Sequence, residues 1–205
     1  MFEFIISAII GYLLGAIPFA LVIVKFFSKK DIRSEGSGNV GAMNSYDITG
    51  KKWLGVVVLL LDLLKGFIAP LLSDHIFSGD IMCISLSSIF VIVGHNFNAF
   101  LGFKGGRGLA PAAGVSLYIN SSFLIVWLVF YAVLYFGVFK NVHISSLIAS
   151  LMLPLVILIA PSEIISSFNM FLAMTRNNLL FLIIALITVI VLRHIEPLFK
   201  LIKKS

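Results

Sequence analysis

The chain has 205 residues, 60% hydrophobic and 12% charged, with a mean hydropathy of +1.11. That composition excludes a soluble globular domain and indicates an integral membrane protein. The net charge of +6 does not point to nucleic acid, because the cations sit in short stretches between apolar runs, where the positive-inside rule puts them. A single cysteine, Cys83, lies in an apolar run and is expected to act as a small buried hydrophobe.

In chain order, Phe4 to Val24 is free of charge and long enough to cross a bilayer, which takes about 20 residues. It is too long for a signal-peptide core and has no basic stretch before it, so it reads as a retained span. Gly11, Gly15 and Ala16 give it a small face for close helix packing, and Pro18 predicts a kink or short break. Lys25, Lys29, Lys30 and Arg33 follow directly, which puts this end in the cytoplasm and the N-terminus outside. Asp31 to Lys52 is the first long polar connection. Its centre, GSGNVGAMN (Gly36 to Asn44), predicts a turn-rich loop and not a helix. The amides and side chains of that loop suit an anion, although no GK[ST] follows as in a nucleotide phosphate loop. A flexible linker is the other reading.

Trp53 to Leu72 is the second span. Asp62 and Lys65 lie three apart on one helical face, and ionisable groups in a span turn inward. A structural ion pair is expected, with Lys65 reaching toward a site as the alternative. Ser73 to Asp80 carries two aspartates and no Lys or Arg, as suits an outside loop, with His75 solvated. Ile81 to Val93 returns inward to GHNFNAFLGFKGGRG, Gly94 to Gly108, which holds one histidine, two amides, two cations and five glycines. Glycines allow close backbone approach and anion-binding turns, and Lys104 and Arg107 add fixed positive charge. The stretch reads as a phosphate site at a membrane face, or as a polar loop whose cations follow topology alone.

Leu109 to Ile119 is short and crosses only if tilted or set in thinned bilayer. Phe123 to Phe139 is a span whose aromatic stripe should face lipid. Lys140, Asn141 and His143 mark the inside; Ile144 to Ile159 goes out, with Pro154 as a kink position. Pro161 to Asn178 is an outside connection, and Leu179 to Leu192 returns to a basic tail of Arg193, His194, Lys200, Lys203 and Lys204. Of the fifteen Lys and Arg residues, only Arg176 falls in an expected outside loop. The expected architecture is therefore all-α, a bundle of about seven transmembrane helices forming one domain over 1–205, with its site on the cytoplasmic face. A five-span layout is the second choice. Three polar clusters then share that face: Ser34 to Asn44, His95 to Arg107, and His143 with Arg193 to Glu196. No metal-ligand spacing and no nucleophile with its own base is present. The remaining chemistry is activation of phosphorylated substrates by cations and amides, with no cofactor or metal.

These motifs resemble the bacterial acyl-phosphate:glycerol-3-phosphate acyltransferase family through nearly the whole chain. Gly11 to Lys25 is similar to the family's GYLLGSIPFA opening, and Gly36 to Asn44 to its GSGN[PV]GATN loop, with Met43 for threonine. LDLLKG (Leu61 to Gly66) recurs, Gly94 to Gly108 resembles GHxxxxFLxFKGGKG, and Arg193-His194 matches a C-terminal motif. The resemblance implies a seven-helix membrane enzyme of the bacterial inner membrane. It would transfer a fatty acyl group from acyl phosphate to the 1-hydroxyl of glycerol 3-phosphate, giving lysophosphatidic acid and phosphate. It also implies Ser37, His95, Lys104 and His194 as catalytic residues. Gly36, Gly38, Asn39, Gly41, Asn44, Gly105, Gly106, Arg107, His143 and Glu196 would bind substrate or phosphate. The implied partners are acyl phosphate, glycerol 3-phosphate or another small acceptor, and membrane lipid.

Three positions depart from the family pattern. Asp47 stands where members carry arginine, His143 (or Ser145 in a shifted register) where they carry serine, and Pro197 where they carry asparagine. All three changes remove expected contacts to glycerol 3-phosphate. The alternatives are an acyltransferase of the same fold with a different acceptor, or a non-catalytic relative that binds acyl phosphate or lipid. A transporter is weaker still, since only Asp62 and Lys65 offer a polar path.

Overall fold

The computed structural model of the chain describes residues 1–169 and 174–202, with 196–202 as backbone alone. Among these residues there are ten α-helices and no β-strand. They are α1 (Phe2–Gly15), α2 (Phe19–Ser28), α3 (Ala42–Thr49), α4 (Lys52–Ile76), α5 (Ile81–Asn96), α6 (Leu109–Ile119), α7 (Ser121–Ala132), α8 (Val142–Ile159), α9 (Ser162–Ser167) and α10 (Arg176–Ile202). Six segments have the length and composition to cross a membrane: Phe2–Ser28, Lys52–Ile76, Ile81–Leu101, Ser121–Phe139, Val142–Ile159 and Arg176–Ile195. The 11-residue α6 is a shorter seventh. The expected multi-pass, all-helical class stands. The chain packs as two compact units, Met1–Val115 and Ser116–Ser205.

In the first unit α1 lies against α5 at near backbone distance. A Cβ on Gly11 would meet the backbone of Ser87, one on Gly15 the backbone of Val91, and one on Gly94 the carbonyl of Tyr12. Small residues four apart let two helices approach this closely where no hydrophobic force drives helices together in lipid. Ser7 adds a polar clasp, donating to the Cys83 carbonyl at 2.5 Å and bonding Ser73 on α4. Cys83 itself is free and buried. The same device joins α4 to α6, where Gly66 packs on the backbone of Pro111 and Gly114 on that of Leu63. At the α2–α4 end, the rings of Phe26, Phe27 and Trp53 stand edge to face beside exposed Lys25, Lys29 and Lys52.

One expectation changes here and two gain detail. The GSGNVGAMN stretch is loop only to Gly41; α3 starts at Ala42, because Asn44 and Ser45 turn inward as a buried helical face. The connection after α8 is not all irregular: α9 occupies Ser162–Ser167, and α10 begins at Arg176. The basic tail continues α10 as helix to Ile202, and Lys203 and Lys204 lie outside the described residues.

In the second unit α7 runs on through wider turns over Val133–Phe139 and leaves its outer side exposed. Trp127, Tyr131 and Tyr135 stack along it at 5.1 and 5.6 Å, and Trp127 Nε1 donates to Ser150 Oγ on α8. Pro154 is carried inside α8 without ending it. Arg176, the lone cation of its connection, donates to the carbonyls of Leu158 and Ala160 at the end of α8. A cation satisfying helix C-terminal carbonyls explains its place without reference to topology.

Gly15→Ala should lower stability by about 1–3 kcal/mol, because the added methyl has only the Val91 backbone to displace. Leu13→Ala, an exposed position on the same helix, should be near neutral. Thermal unfolding of both proteins in detergent checks this.

Candidate active site

The site of the first unit begins at a broken helix. Proline has no N–H and its ring excludes the preceding turn, so Pro18 ends α1 at Gly15 and α2 restarts at Phe19. The break takes three successive carbonyls out of the helical ladder, and only that of Ile17 finds a backbone donor, Phe19 N–H at 3.1 Å. Lys65 Nζ on α4 donates to Gly15 O at 2.8 Å and to Ile17 O at 3.1 Å; Asn98 Nδ2 donates to Ala16 O at 2.7 Å. Tyr12 completes the tie, donating to Phe97 O and accepting from Ala99 N.

Lys65 is paired as its spacing predicts. Its ammonium sits 2.9 Å from Asp62 Oδ1, and both side chains are 3% exposed. Two carbonyls and one carboxylate account for the three donors of the ammonium. Lys65 is therefore committed to the fold and does not reach out toward a ligand. Asp62 Oδ1 also faces His95 Nδ1 at 3.6 Å, within ion-pair reach though longer than a hydrogen bond.

The glycine loop closes over His95. Gly105 N–H donates to Asn96 O and Gly106 N–H to His95 O, so these amides satisfy the last carbonyls of α5. Both backbone amides are thus taken up inside the fold. The two residues must be glycine for packing: a Cβ on Gly105 would enter the His95 carbonyl, and one on Gly106 the His95 imidazole at Nε2. The loop leaves Lys104 exposed and Arg107 half-buried beside the buried cluster. A narrow cleft of about 10 Å³ runs along it, lined by Val40, Asp62, Lys65, His95, Asn98 and Gly106 among others.

The first glycine loop is organised by Asn44, which is 1% exposed. Its Oδ1 accepts from Ser37 N, and its Nδ2 faces the carbonyls of Ile32, Glu35 and Asn39 at 3.1–3.2 Å. Asn44 therefore shapes the loop from beneath. Gly36 and Gly38 hold positive φ (60° and 69°), which the turns require. Ser37 is exposed, Asn39 half-exposed, and Gly41 buried at the start of α3. Asp47 lies on the exposed side of α3. Arg33, a candidate to offset its charge, is gripped by Asp31 through Nε at 2.9 Å and Nη2 at 2.6 Å. That guanidinium holds the Asp31 carboxyl down at about 2.

In the second unit His143 and His194 come together, with ring centroids 6.2 Å apart. Asn141 caps α8 by accepting from the N–H groups of His143 and Ile144. His194 is fully buried, and its Nδ1 lies 2.9 Å from Ile190 O. A carbonyl there requires Nδ1 to carry a proton; in the neutral ring the lone pair is then on Nε2. The side chains of Glu196 and Pro197 lie outside the described residues.

Sequence spacing finds the Asp62–Lys65 pair and both glycine loops. It misses Asn98 and Tyr12 as clamps on the α1–α2 break. The available signal was Pro18 itself: a proline inside a span leaves carbonyls that polar residues elsewhere must meet. It also misses that Gly106 is spaced for an imidazole. Among the described residues no group of three or more His, Cys, Asp or Glu could hold a metal ion.

The fold and site define a multi-pass helical membrane protein whose buried ion pair and histidine lie under a cationic glycine loop. The family model for glycerol-3-phosphate acyltransferase matches residues 5–204. Relatives include glycerol-3-phosphate acyltransferase of Ehrlichia canis (strain Jake), 33% identical over 95% of this chain and 93% of the relative. Another is glycerol-3-phosphate acyltransferase 2 of Bacillus anthracis, 40% identical over 81% and 85%. Two crystal structures of PlsY (YgiH), an integral membrane glycerol 3-phosphate acyltransferase, share the fold. The glycerol 3-phosphate form aligns with a TM-score of 0.80 at 31% identity, covering 98% of this chain and 92% of that one. The lysophosphatidic acid form aligns with a TM-score of 0.77 at 32% identity and the same coverage. The chain belongs to the glycerol-3-phosphate acyltransferase family.

Asn44→Ala leaves buried loop carbonyls unmet and should cost about 1–3 kcal/mol. The expected result is faster tryptic cleavage after Arg33, with α4 and α5 intact. The Asp31–Arg33 pair gives a pH prediction. The folded-state value lies below the ordinary 3.8, so the pair's contribution is complete above that value and is lost as pH falls through about 2. A carbon-13 titration of the Asp31 carboxyl should show this low midpoint, moving up toward 3.8 in Arg33→Gln.

Proposed function

We propose that the chain transfers a fatty acyl group from an acyl phosphate to the 1-hydroxyl of glycerol 3-phosphate. The products would be lysophosphatidate and phosphate. The observation that carries this is the cationic glycine loop, with Lys104 exposed and Arg107 beside it, seated directly on the buried His95–Asp62–Lys65 cluster. The names of the relatives and the two forms of the solved neighbours support the acceptor and the product.

The chemistry needs little from the protein. An acyl phosphate is a mixed anhydride, so no covalent enzyme intermediate is required. The acceptor hydroxyl oxygen attacks the acyl carbonyl carbon, the carbonyl–phosphate oxygen bond breaks, and phosphate leaves with that electron pair. The hydroxyl proton passes through His95 and ends on the leaving phosphate. Lys104 and Arg107 neutralise phosphate charge and polarise the carbonyl. Ser37, Gly36, Gly38, Asn39 and Gly41 shape the first loop around a phosphate, with Asn44 as their support. Gly105 and Gly106 serve by their shape against His95. His194 is assigned a second proton-handling role and His143 and Glu196 contacts to substrate, by resemblance to the family. The chain would act as one domain over 1–205 in the bacterial inner membrane, N-terminus outside and C-terminus cytoplasmic, with acyl chains held by lipid-facing surface.

A second reading has one observation in its favour. Asp47 puts a carboxylate where the family carries a cation, and Arg33 is already held by Asp31. On that reading the acceptor is less anionic than glycerol 3-phosphate. Phosphate release from palmitoyl phosphate by purified protein separates the two. Stimulation by glycerol 3-phosphate with lysophosphatidate formed in equal amount supports the first; release without stimulation supports the second. Lys104→Ala should lower kcat/KM by about 10²-fold. Asp47→Arg should lower the KM for glycerol 3-phosphate about tenfold by removing a like charge.

A further inference from the structure

We propose that the α2–α4 end of the first unit is a docking surface for anionic phospholipid headgroups, built from the rings of Phe26, Phe27 and Trp53 and the cations Lys29, Lys51 and Lys52. The proposal rests on the fold alone and stands or falls independently of the acyl-transfer reading.

The rings come first. Phe27 stands edge to face with Phe26 at 4.9 Å and with Trp53 at 5.0 Å, so residues from two helices form one cluster. The cluster is not core: Phe26 is 69% exposed, Phe27 50% and Trp53 47%. Its place explains the exposure. One segment of membrane-crossing length ends at Ser28, just before Lys29, and the next begins at Lys52, just before Trp53. The rings therefore mark the level at which both helices leave the bilayer, where aromatic side chains sit among headgroups and lysines extend toward water.

The cations call for an anion that the fold does not supply. Among the acids of the neighbouring connection, Asp31 is gripped by Arg33, and Glu35 is paired with Lys30 at 3.1 Å. The Asp31 carboxyl, held low first by Arg33, also feels Lys25. Lys29, Lys51 and Lys52 are exposed and make no ion pair among the described residues. Lys29 closes α2 with a φ of 57°, where glycine is the usual residue, although a cation there suits the negative end of the helix. No such account covers Lys51 and Lys52. They stand at the positive end of α4, which has no side-chain cap and no acid in its first turn. Their own helix repels them, so the charge that stabilises them comes from outside the chain. A lipid phosphate supplies that charge while its acyl chains cover the rings. A soluble anion would meet the lysines and leave the rings in water.

Brominated lipids test this on full-length protein in vesicles, with no turnover needed. The chain has two tryptophans, so the Trp53 signal is taken as the difference between wild type and Trp53→Phe. Bromine is carried on the acyl chains of either phosphatidylglycerol or phosphatidylcholine in otherwise identical mixed vesicles. Brominated phosphatidylglycerol should quench Trp53 at about one fifth of the mole fraction that phosphatidylcholine requires. Lys29→Gln/Lys51→Gln/Lys52→Gln should bring the two lipids together, and so should salt of about 0.5 M on wild type, which needs no variant to fold. Inorganic phosphate at matched ionic strength should leave the preference in place. Equal quenching by the two lipids at low salt would overturn the proposal and leave the lysines as topology signals only. A preference that survives the triple variant or the added salt would overturn it too, as would quenching by neither lipid. Loss of the preference to inorganic phosphate would make this a soluble-anion site and overturn the lipid assignment.

Discussion

Pro18 is the constraint on which the first unit depends. By ending α1 inside an apolar segment it takes the carbonyls of Gly15 and Ala16 out of the helical ladder and leaves that of Ile17 a single turn bond from Phe19 N–H, and a bilayer core offers no water to meet them. Lys65 and Asn98 meet them instead. Lys65 in a span requires a counter-charge, which Asp62 supplies from the same helical face. Asp62 in turn faces His95, and His95 requires glycine at 106. One missing N–H thus leads, contact by contact, from a helix break to the loop that bears Lys104 and Arg107.

Glycine plays two separate parts in this chain. In α1, α4, α5 and α6 it removes side chains so that helices meet at backbone distance, as at Gly15 against Val91 and Gly66 against Pro111. In the loops it either supplies positive φ, as at Gly36 and Gly38, or makes room for an imidazole, as at Gly106. Neither loop turns its glycine amides wholesale toward solvent. Gly105 and Gly106 give theirs to α5, and Ser37 and Gly38 give theirs to Asn44 and Glu35. On the proposed reading, positive charge for a phosphate would come from side chains, chiefly Lys104 and Arg107, more than from a nest of amides.

Much of this was legible from residue order. Long apolar runs gave the spans, Pro18 gave the break, and the i,i+3 spacing gave the Asp62–Lys65 pair. Less legible were features set by distant parts of the chain. The inward face of α3 follows from Asn44 meeting the carbonyls of Ile32, Glu35 and Asn39, which no local pattern announces. Arg176 reads as a topology exception until its contacts with Leu158 and Ala160 explain it. Asn98 as a clamp on Ala16, 82 residues away, depends on the packing of α1 on α5. Helix periodicity reports a face, but it does not report which carbonyl that face will meet.

The most direct test of this account is the unfolding free energy, in detergent micelles, of Asp62→Asn, Lys65→Gln and the double variant. The account predicts that each single change is strongly destabilising, about 3–5 kcal/mol, because it leaves an uncompensated buried charge. The double variant, being neutral, should be more stable than either single variant. Single changes that are nearly silent, or a double loss equal to the sum of the two, would contradict the claim that a complete, neutral Asp62–Lys65 pair holds the broken helix and the site built on it.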